Sequence, residues 1–181
     1  MKKILTLTLI LLLVFVVLAG CAGNENDLNE EEPEENADVI TTASKVNNEE
    51  GFKKAISQDG TWIIITLKDL DFEEELVVEG EFRDKGDPDN DLYRKIAAYA
   101  QDEEYNVTER YTITAPKMTI KSPNTKFQGG TFVGDVYVKN NGFTLEDGKI
   151  DGNIYFENEE YKSSFDSKNE GEVTGNIEIE D

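Results

Sequence analysis

The chain has 181 residues and 20.4 kDa, with 39 acidic against 18 basic side chains, no histidine and one cysteine. The length allows one ordinary domain, and a formal charge of −21 argues against a nucleic-acid surface, whose affinity rests on Lys and Arg displacing counterions. A His-based triad, a His zinc site, an internal disulfide and CxxC chemistry are all excluded.

Lys2 and Lys3 form a short positive region, and Ile4 to Leu18 is almost wholly apolar, broken only by Thr6 and Thr8. That run has the length of a signal-peptide apolar region and is short for a spanning helix, which needs roughly 20 residues. It ends in Leu18-Ala19-Gly20-Cys21, which resembles the bacterial lipobox. The resemblance implies removal of residues 1–20, a diacylglyceryl group on the Cys21 thiol and a fatty-acyl chain such as palmitate on the new N-terminus. The alternative is an uncleaved anchor in which Cys21 is incidental. Two or more acyl chains suffice for stable anchoring. The expected location is therefore the extracytoplasmic side of the cell membrane. Loss of Lys2 and Lys3 leaves 16 basic against 39 acidic residues, a net of −23. So acidic a body should stand off anionic headgroups.

Residues 21–43 read as a tether. Ala22 to Thr42 includes Asn29-Glu30-Glu31-Glu32-Pro33-Glu34-Glu35-Asn36 and carries no positive charge. Such a stretch buries too little apolar surface to offset its ordering entropy. A cation-binding tail is the alternative to a solvated spacer.

The folded body is expected over residues 44–181. Asn47 with Glu50 three positions on forms a capping-box pattern, and Phe52, Ala55 and Ile56 then share one face of a short helix ending before Asp59-Gly60. Thr61 to Leu67 and Leu76 to Phe82 read as strands. An insertion is expected over about residues 83–110, where Asp87-Pro88-Asp89-Asn90 makes a turn and Asp91 caps a helix from Leu92 to about Gln101. Strands return at Tyr111–Thr114 and Lys117–Ile120.

Three segments then align without gaps, starting at Gly130, Gly148 and Gly171, so successive starts lie 18 and 23 residues apart. Their shared pattern is G-x-Φ-x-G-[DN]-Φ-x-Φ, with Φ apolar. Repeats of about 20 residues with short strands and glycine corners suit one coil of a parallel β-solenoid. The fold class expected is all-β: a short, single-stranded, right-handed parallel β-helix with an N-terminal capping helix and one helical insertion. Phe132, Ile150 and Val173 should stack inside, as should Val136, Ile154 and Ile177, and Val138, Phe156 and Ile179. Gly134, Gly152 and Gly175 would take a corner geometry that a Cβ resists. Asp135, Asn153 and Asn176 would each bond their own turn backbone. An antiparallel sandwich with coincidental glycines is the alternative.

The repeats over about Lys117 to Ile179 resemble those of bactofilins, polymer-forming β-helix proteins. That resemblance implies filaments made by end-to-end stacking of bare solenoid ends. The lipobox and the amphipathic segment Asn47–Gln58, placed to cap the first coil, depart from it and imply a monomer. The part before the repeats resembles the opening of secreted right-handed β-helix proteins such as pectate lyases.

Candidate chemistry is sparse. Arg83, Arg94, Arg110, Lys117, Lys121 and Lys126 are the possible proton-abstracting bases beside many carboxylates, and no spacing singles out a set. Asp87 to Asp91 starts like a calcium loop, but Leu92 stands where the glycine belongs and Ala98 where the bidentate Glu belongs. A turn is the better reading, and no metal or cofactor is expected. Tyr137 and Tyr155 should lie side by side on the outside of adjacent coils, as a shelf for a ligand or as cross-strand stacking. Two functions remain: a non-enzymatic structural or binding module of the envelope, with polysaccharide or protein as partner, or a carbohydrate-active β-helix enzyme. A single groove gathering a basic residue, carboxylates and exposed aromatics would be the informative observation.

Overall fold

A computed structural model describes residues 43–180 of the protein. The expected signal segment, the lipobox with Cys21 and the acidic tether through Thr42 lie outside the described residues. No described helix is long and apolar enough to cross a membrane.

Parallel strands dominate. Strand β1 (Ser44–Val46) precedes helix α1 (Glu49–Ile56), followed by β2 (Ile63–Thr66), β3 (Leu70–Asp71) and β4 (Leu76–Val78). After a 3₁₀ turn at Asp84–Gly86 come β5 (Arg94–Ala97), β6 (Tyr99–Gln101), β7 (Val107–Arg110) and β8 (Thr112–Ile120). The repeats supply β9 (Thr125–Gln128), β10 (Thr131–Val138), β11 (Thr144–Glu146), β12 (Lys149–Asp151) and β13 (Ile154–Phe156). Helix α2 (Glu159–Ser163) leads to β14 (Asp166–Lys168), β15 (Glu172–Val173) and β16 (Ile177–Ile179).

One sheet runs β1-β2-β5-β9-β11-β14, and a second stacks β3 and β4 on β8, β8 on β10, β10 on β12 and β13, and these on β15 and β16. Parallel neighbours need a crossover between them. Helix α1 makes the crossover between β1 and β2, and strands of the second sheet lie in the connections between the later neighbours of the first.

Side-chain alternation then explains the core. In register run Ile64, Ile96, Phe127 and Leu145 on the first sheet. Leu70, Ile113, Phe132, Ile150 and Val173 follow one column of the second. Leu76, Met118, Val136, Ile154 and Ile177 form the next, with Val78, Ile120, Val138, Phe156 and Ile179 beside it. All are buried except the last level, where Val173 and Ile179 are half-buried and Ile177 is 38% exposed. The expected stacking register holds, and among the described residues no strand covers β15 and β16.

Helix α1 buries Phe52, Ala55 and Ile56, as its spacing predicts. Its cap is Asn48 rather than Asn47: the Asn48 side chain accepts from the Gly51 N–H at 2.7 Å. The third residue on is then Gly51, so no capping box forms.

Residues 92–101 correct the expected helical insertion. Arg94–Ala97 is the central strand β5, paired with β2 and β9, and Tyr99–Gln101 belongs to β6. The part that leaves the parallel body is the antiparallel hairpin β6–β7. Likewise Tyr111–Thr114 and Lys117–Ile120 merge into β8, with a register shift opposite Gly134 where Ala115 and Pro116 bulge.

The longer interval between the second and third repeats is filled by α2. The Asn158 side chain caps it by accepting from the Tyr161 N–H at 2.9 Å. Phe165 just after it packs its ring 5.7 Å from Phe143 and 5.5 Å from Phe156.

Two details of the corners differ from the sequence reading. Among the repeat glycines Gly134, Gly152 and Gly175, only Gly134 has a positive φ, at 136°. Gly152 and Gly175 are required by close approach instead: a Cβ would meet the Gly134 oxygen at 2.0 Å and the Gly152 oxygen at 2.5 Å. The side chains of Asp135 and Asn153 bond to the next level rather than within their own turns. The Asn153 N–H donates to Asp135 Oδ1 at 2.9 Å, and the Asn176 N–H donates to Asn153 Oδ1 at 2.9 Å. Stacked corners place the next backbone amide nearer than the residue's own.

Candidate functional site

Outward-facing side chains are set by the same register. On the second sheet Thr119, Tyr137, Tyr155 and Glu178 form one outer column. The Tyr137 and Tyr155 rings lie 4.9 Å apart, tilted by 32°. Lys117 Nζ stands 4.5 Å from the Tyr137 centroid and 3.4 Å from Glu75. Burial, together with the charges of Asp135, Tyr137 and Glu178, holds the Tyr155 hydroxyl above its ordinary range. The two tyrosines are neighbours as the spacing predicts, and their contacts are with each other and with Lys117.

A groove of about 520 Å³ lies at the other face, lined by Asp84, Asp91, Leu92, Tyr93, Asn124 and Lys126. Its rim is a tightly bonded turn. The Asp84 N–H donates to the Asp91 carbonyl at 3.1 Å. Asn90 Nδ2 donates to the Asp84 carbonyl at 2.9 Å, and Asp87 Oδ1 accepts from the Asp89 N–H at 2.9 Å. Arg83 closes the turn by donating to the Asn90 carbonyl at 2.6 Å. The acids from Asp87 to Asp91 thus build a turn, and among the described residues no group of three or more carboxylate or cysteine side chains is placed to hold a metal ion.

Tyr93 enters the groove just before β5, and Lys126 rises from the neighbouring β9. Lys126 Nζ lies 5.8 Å from the Tyr93 centroid and 2.5 Å from Glu146 Oε2 on β11. Trp62, just before β2, packs its ring 6.2 Å from Tyr93 at 42°. Three successive levels therefore contribute to one surface. Burial lowers the Lys126 pKa, but the hydrogen bond to Glu146 and the charges of Tyr93 and Glu146 outweigh it, and the net shift is upward. Tyr93 is also shifted upward, by burial above all, with Lys126 opposing.

The six basic candidates are scattered. Arg94 is fully buried. Arg110 grips Asp147 through both carboxylate oxygens at 2.9 Å. Lys117 and Lys121 reach Glu75 and Glu79, each at 3.4 Å. Arg83 serves the turn. Only Lys126 shares a groove with carboxylates and an aromatic ring. The sequence reading missed this groove, because its residues come from three distant segments and Leu92–Tyr93 was assigned to a helix. The paired Asp91-x-Tyr93 and the recurrence of Lys95 and Lys126 on outward positions were the available signals.

The fold and these surfaces define an all-β protein of stacked parallel strands bearing a polar groove with Tyr93 in its lining. No protein-family model matches the chain, and neither a curated protein nor a solved structure is significantly similar to it.

Proposed function

We propose that the chain is a membrane-anchored extracytoplasmic lipoprotein, a monomeric, non-enzymatic structural or binding module of the cell envelope. Its anchor is Cys21, supported by the lipobox residues Leu18, Ala19 and Gly20 and by the apolar run before them. Its body is a short right-handed parallel β-helix. The support for that architecture is the residue-for-residue register through successive levels, with strands of the second sheet lying in the connections between later neighbours of the first.

The observation that carries the non-enzymatic reading is the Lys126–Glu146 contact of 2.5 Å. A lyase base must give up its proton near the working pH, whereas this ammonium is held charged by a carboxylate. Cell fractionation tests the anchor: Cys21→Ser should release the protein from membranes or leave uncleaved precursor.

A second reading, a carbohydrate-active β-helix enzyme, is favoured by one observation, that the groove gathers Lys126, Asp84, Asp91 and Tyr93. Incubation with a panel of neutral and acidic polysaccharides separates the two. New reducing ends would establish the enzyme, and an unchanged panel supports the binding module.

A further inference from the structure

We infer that the groove between Asp84, Asp91, Tyr93 and Lys126 binds a pyranose unit of a neutral or amine-bearing polysaccharide and rejects a uronate. The inference rests on the binding-module reading above and names the ligand class for it.

Size is the first argument. A volume of about 520 Å³ falls within the roughly 300–1,000 Å³ of small-molecule sites.

The lining supplies both halves of sugar recognition. A pyranose presents a face of C–H groups and an equatorial belt of hydroxyls. Tyr93 lines the groove and provides an aromatic face for the first. Asp84 and Asp91 provide acceptors for the second. Neither carboxylate makes a hydrogen bond or ion pair among the described residues, so both are available to hydroxyl or ammonium donors. Asn124 already donates its Nδ2 to the Leu92 carbonyl at 2.9 Å, which fixes the side chain at the groove wall.

Charge then selects within that class. Lys126 is neutralised by Glu146 at 2.5 Å, so the two aspartates set the local sign. A uronate carboxylate would meet both of them, and a chain carrying −21 overall repels a polyanion from every side. A protonated amino group would instead be drawn in.

The chain holds a single tryptophan, and its ring packs 6.2 Å from the groove residue Tyr93, which makes its emission a reporter of that contact. The full chain in detergent micelles should be titrated with β-linked oligomers of glucose, glucosamine and galacturonate. Glucose and glucosamine oligomers should give a saturable change in Trp62 emission, with glucosamine the tighter, and galacturonate should give none. Tyr93→Ala should weaken both by about tenfold or more, as expected for a lost stacking face, while Tyr105→Ala, at the exposed turn between β6 and β7, should leave both unchanged. Asp91→Asn, at an exposed position, should erase the preference for glucosamine even if Tyr93→Ala proves poorly folded by circular dichroism. An absent response to both sugars, an equal response to galacturonate, or an unaltered preference in Asp91→Asn would overturn the inference. Those results would leave the envelope-lipoprotein reading standing. Conversely, cleavage of the oligomers would overturn the non-enzymatic reading and leave the groove as their site.

Discussion

Arg94 donates from Nη2 to the backbone carbonyl of Ala55, 2.7 Å away and 39 residues earlier in the chain. The same guanidinium donates to the Ser57 carbonyl at 3.1 Å, to Ser122 Oγ at 2.9 Å and to the Glu79 carbonyl. It lies 4.2 Å over the Phe82 ring. The C-terminal carbonyls of α1 carry the negative end of its dipole, so a cation is the right partner for them. Burial pulls the guanidinium down to about 10, with the charge of Glu79 opposing; it stays charged at neutral pH. One side chain thus fastens the covering helix to strand β5 and to the turn after β4.

Replacing Arg94 with Met keeps volume but strands those acceptors. Each buried acceptor left unpaired costs about 1–3 kcal/mol, offset in part by not burying a charge. The expected loss is about 3 kcal/mol by urea denaturation, with amide exchange accelerating first in residues 49–56. Arg94→Lys should recover little, because an ammonium cannot fork to four sites. A variant as stable as the parent would show that α1 is held by its apolar face alone.

Arg94 also explains where the sequence misled. An inward–outward alternation runs Arg94, Lys95, Ile96, Ala97, but the first inward residue is charged, so the strand signal is masked. Leu92, Ile96 and Tyr99 happen to fall at helical spacing, and the helix reading followed. Where inward positions are apolar, as in the three glycine repeats, the register was readable to the residue. The capping helix was readable too, from Phe52, Ala55 and Ile56. Tyr137 and Tyr155 are legible as neighbours because they hold the same position in successive repeats, 18 residues apart. The groove was not readable, since it depends on which level Tyr93 occupies, and that in turn depends on the masked strand.

The two kinds of repeat glycine should respond differently to alanine. At Gly152 a Cβ would stand 2.0 Å from the Gly134 oxygen, and both groups are backbone. At Gly148 the nearest atom is the Gly130 oxygen at 3.2 Å, a contact relieved by a few tenths of an ångström. Gly152→Ala should therefore destabilise by about 1–3 kcal/mol, as overpacking does, and Gly148→Ala by clearly less. Thermal unfolding of the two variants decides it. Equal effects would mean that the corners are looser than the stacked carbonyls imply.

Acid should weaken the Lys126–Glu146 link. The Lys126 hydrogen bond holds the Glu146 carboxyl below its ordinary 4.5, against burial, with the charges of Lys126 and Lys95 and a bond from Asn169 assisting. The folded state therefore binds that proton less tightly than the unfolded chain. Its stabilisation is fully present above the ordinary value and is lost as pH falls through the depressed one. The size expected for a partly exposed pair is about 1 kcal/mol. Between about pH 6 and pH 3 the parent should lose that much more stability than Glu146→Gln. Parallel curves for the two would remove the pair from the ledger.

The two ends of the body are unequal, and that fixes its expected oligomeric state. At one end α1 lays Phe52, Ala55 and Ile56 over the first level, locked by Arg94. At the other, β14, β15 and β16 have a free edge among the described residues, and Ile177 is 38% exposed. An open parallel edge invites a second strand. What opposes it is charge: residues 166–180 carry Asp166, Glu170, Glu172, Glu178 and Glu180 against Lys168, and although Glu172 and Glu180 reach Lys149 and Lys139 of the preceding level, the end stays negative. Two such ends repel when brought together. Screening shortens that repulsion from roughly 8 Å at physiological salt to about 3 Å at 1 M. A soluble fragment of residues 22–181 should accordingly sediment as a monomer at physiological salt and begin to self-associate in 1 M salt. Glu178→Gln with Glu180→Gln should move that onset to lower salt. Deleting residues 44–58 should uncover Ile64 and Leu76 and cause aggregation once salt screens the neighbouring Glu73, Glu74 and Glu75. Filaments formed by the intact fragment at low salt, seen by electron microscopy, would overturn the capped monomer and favour a scaffold.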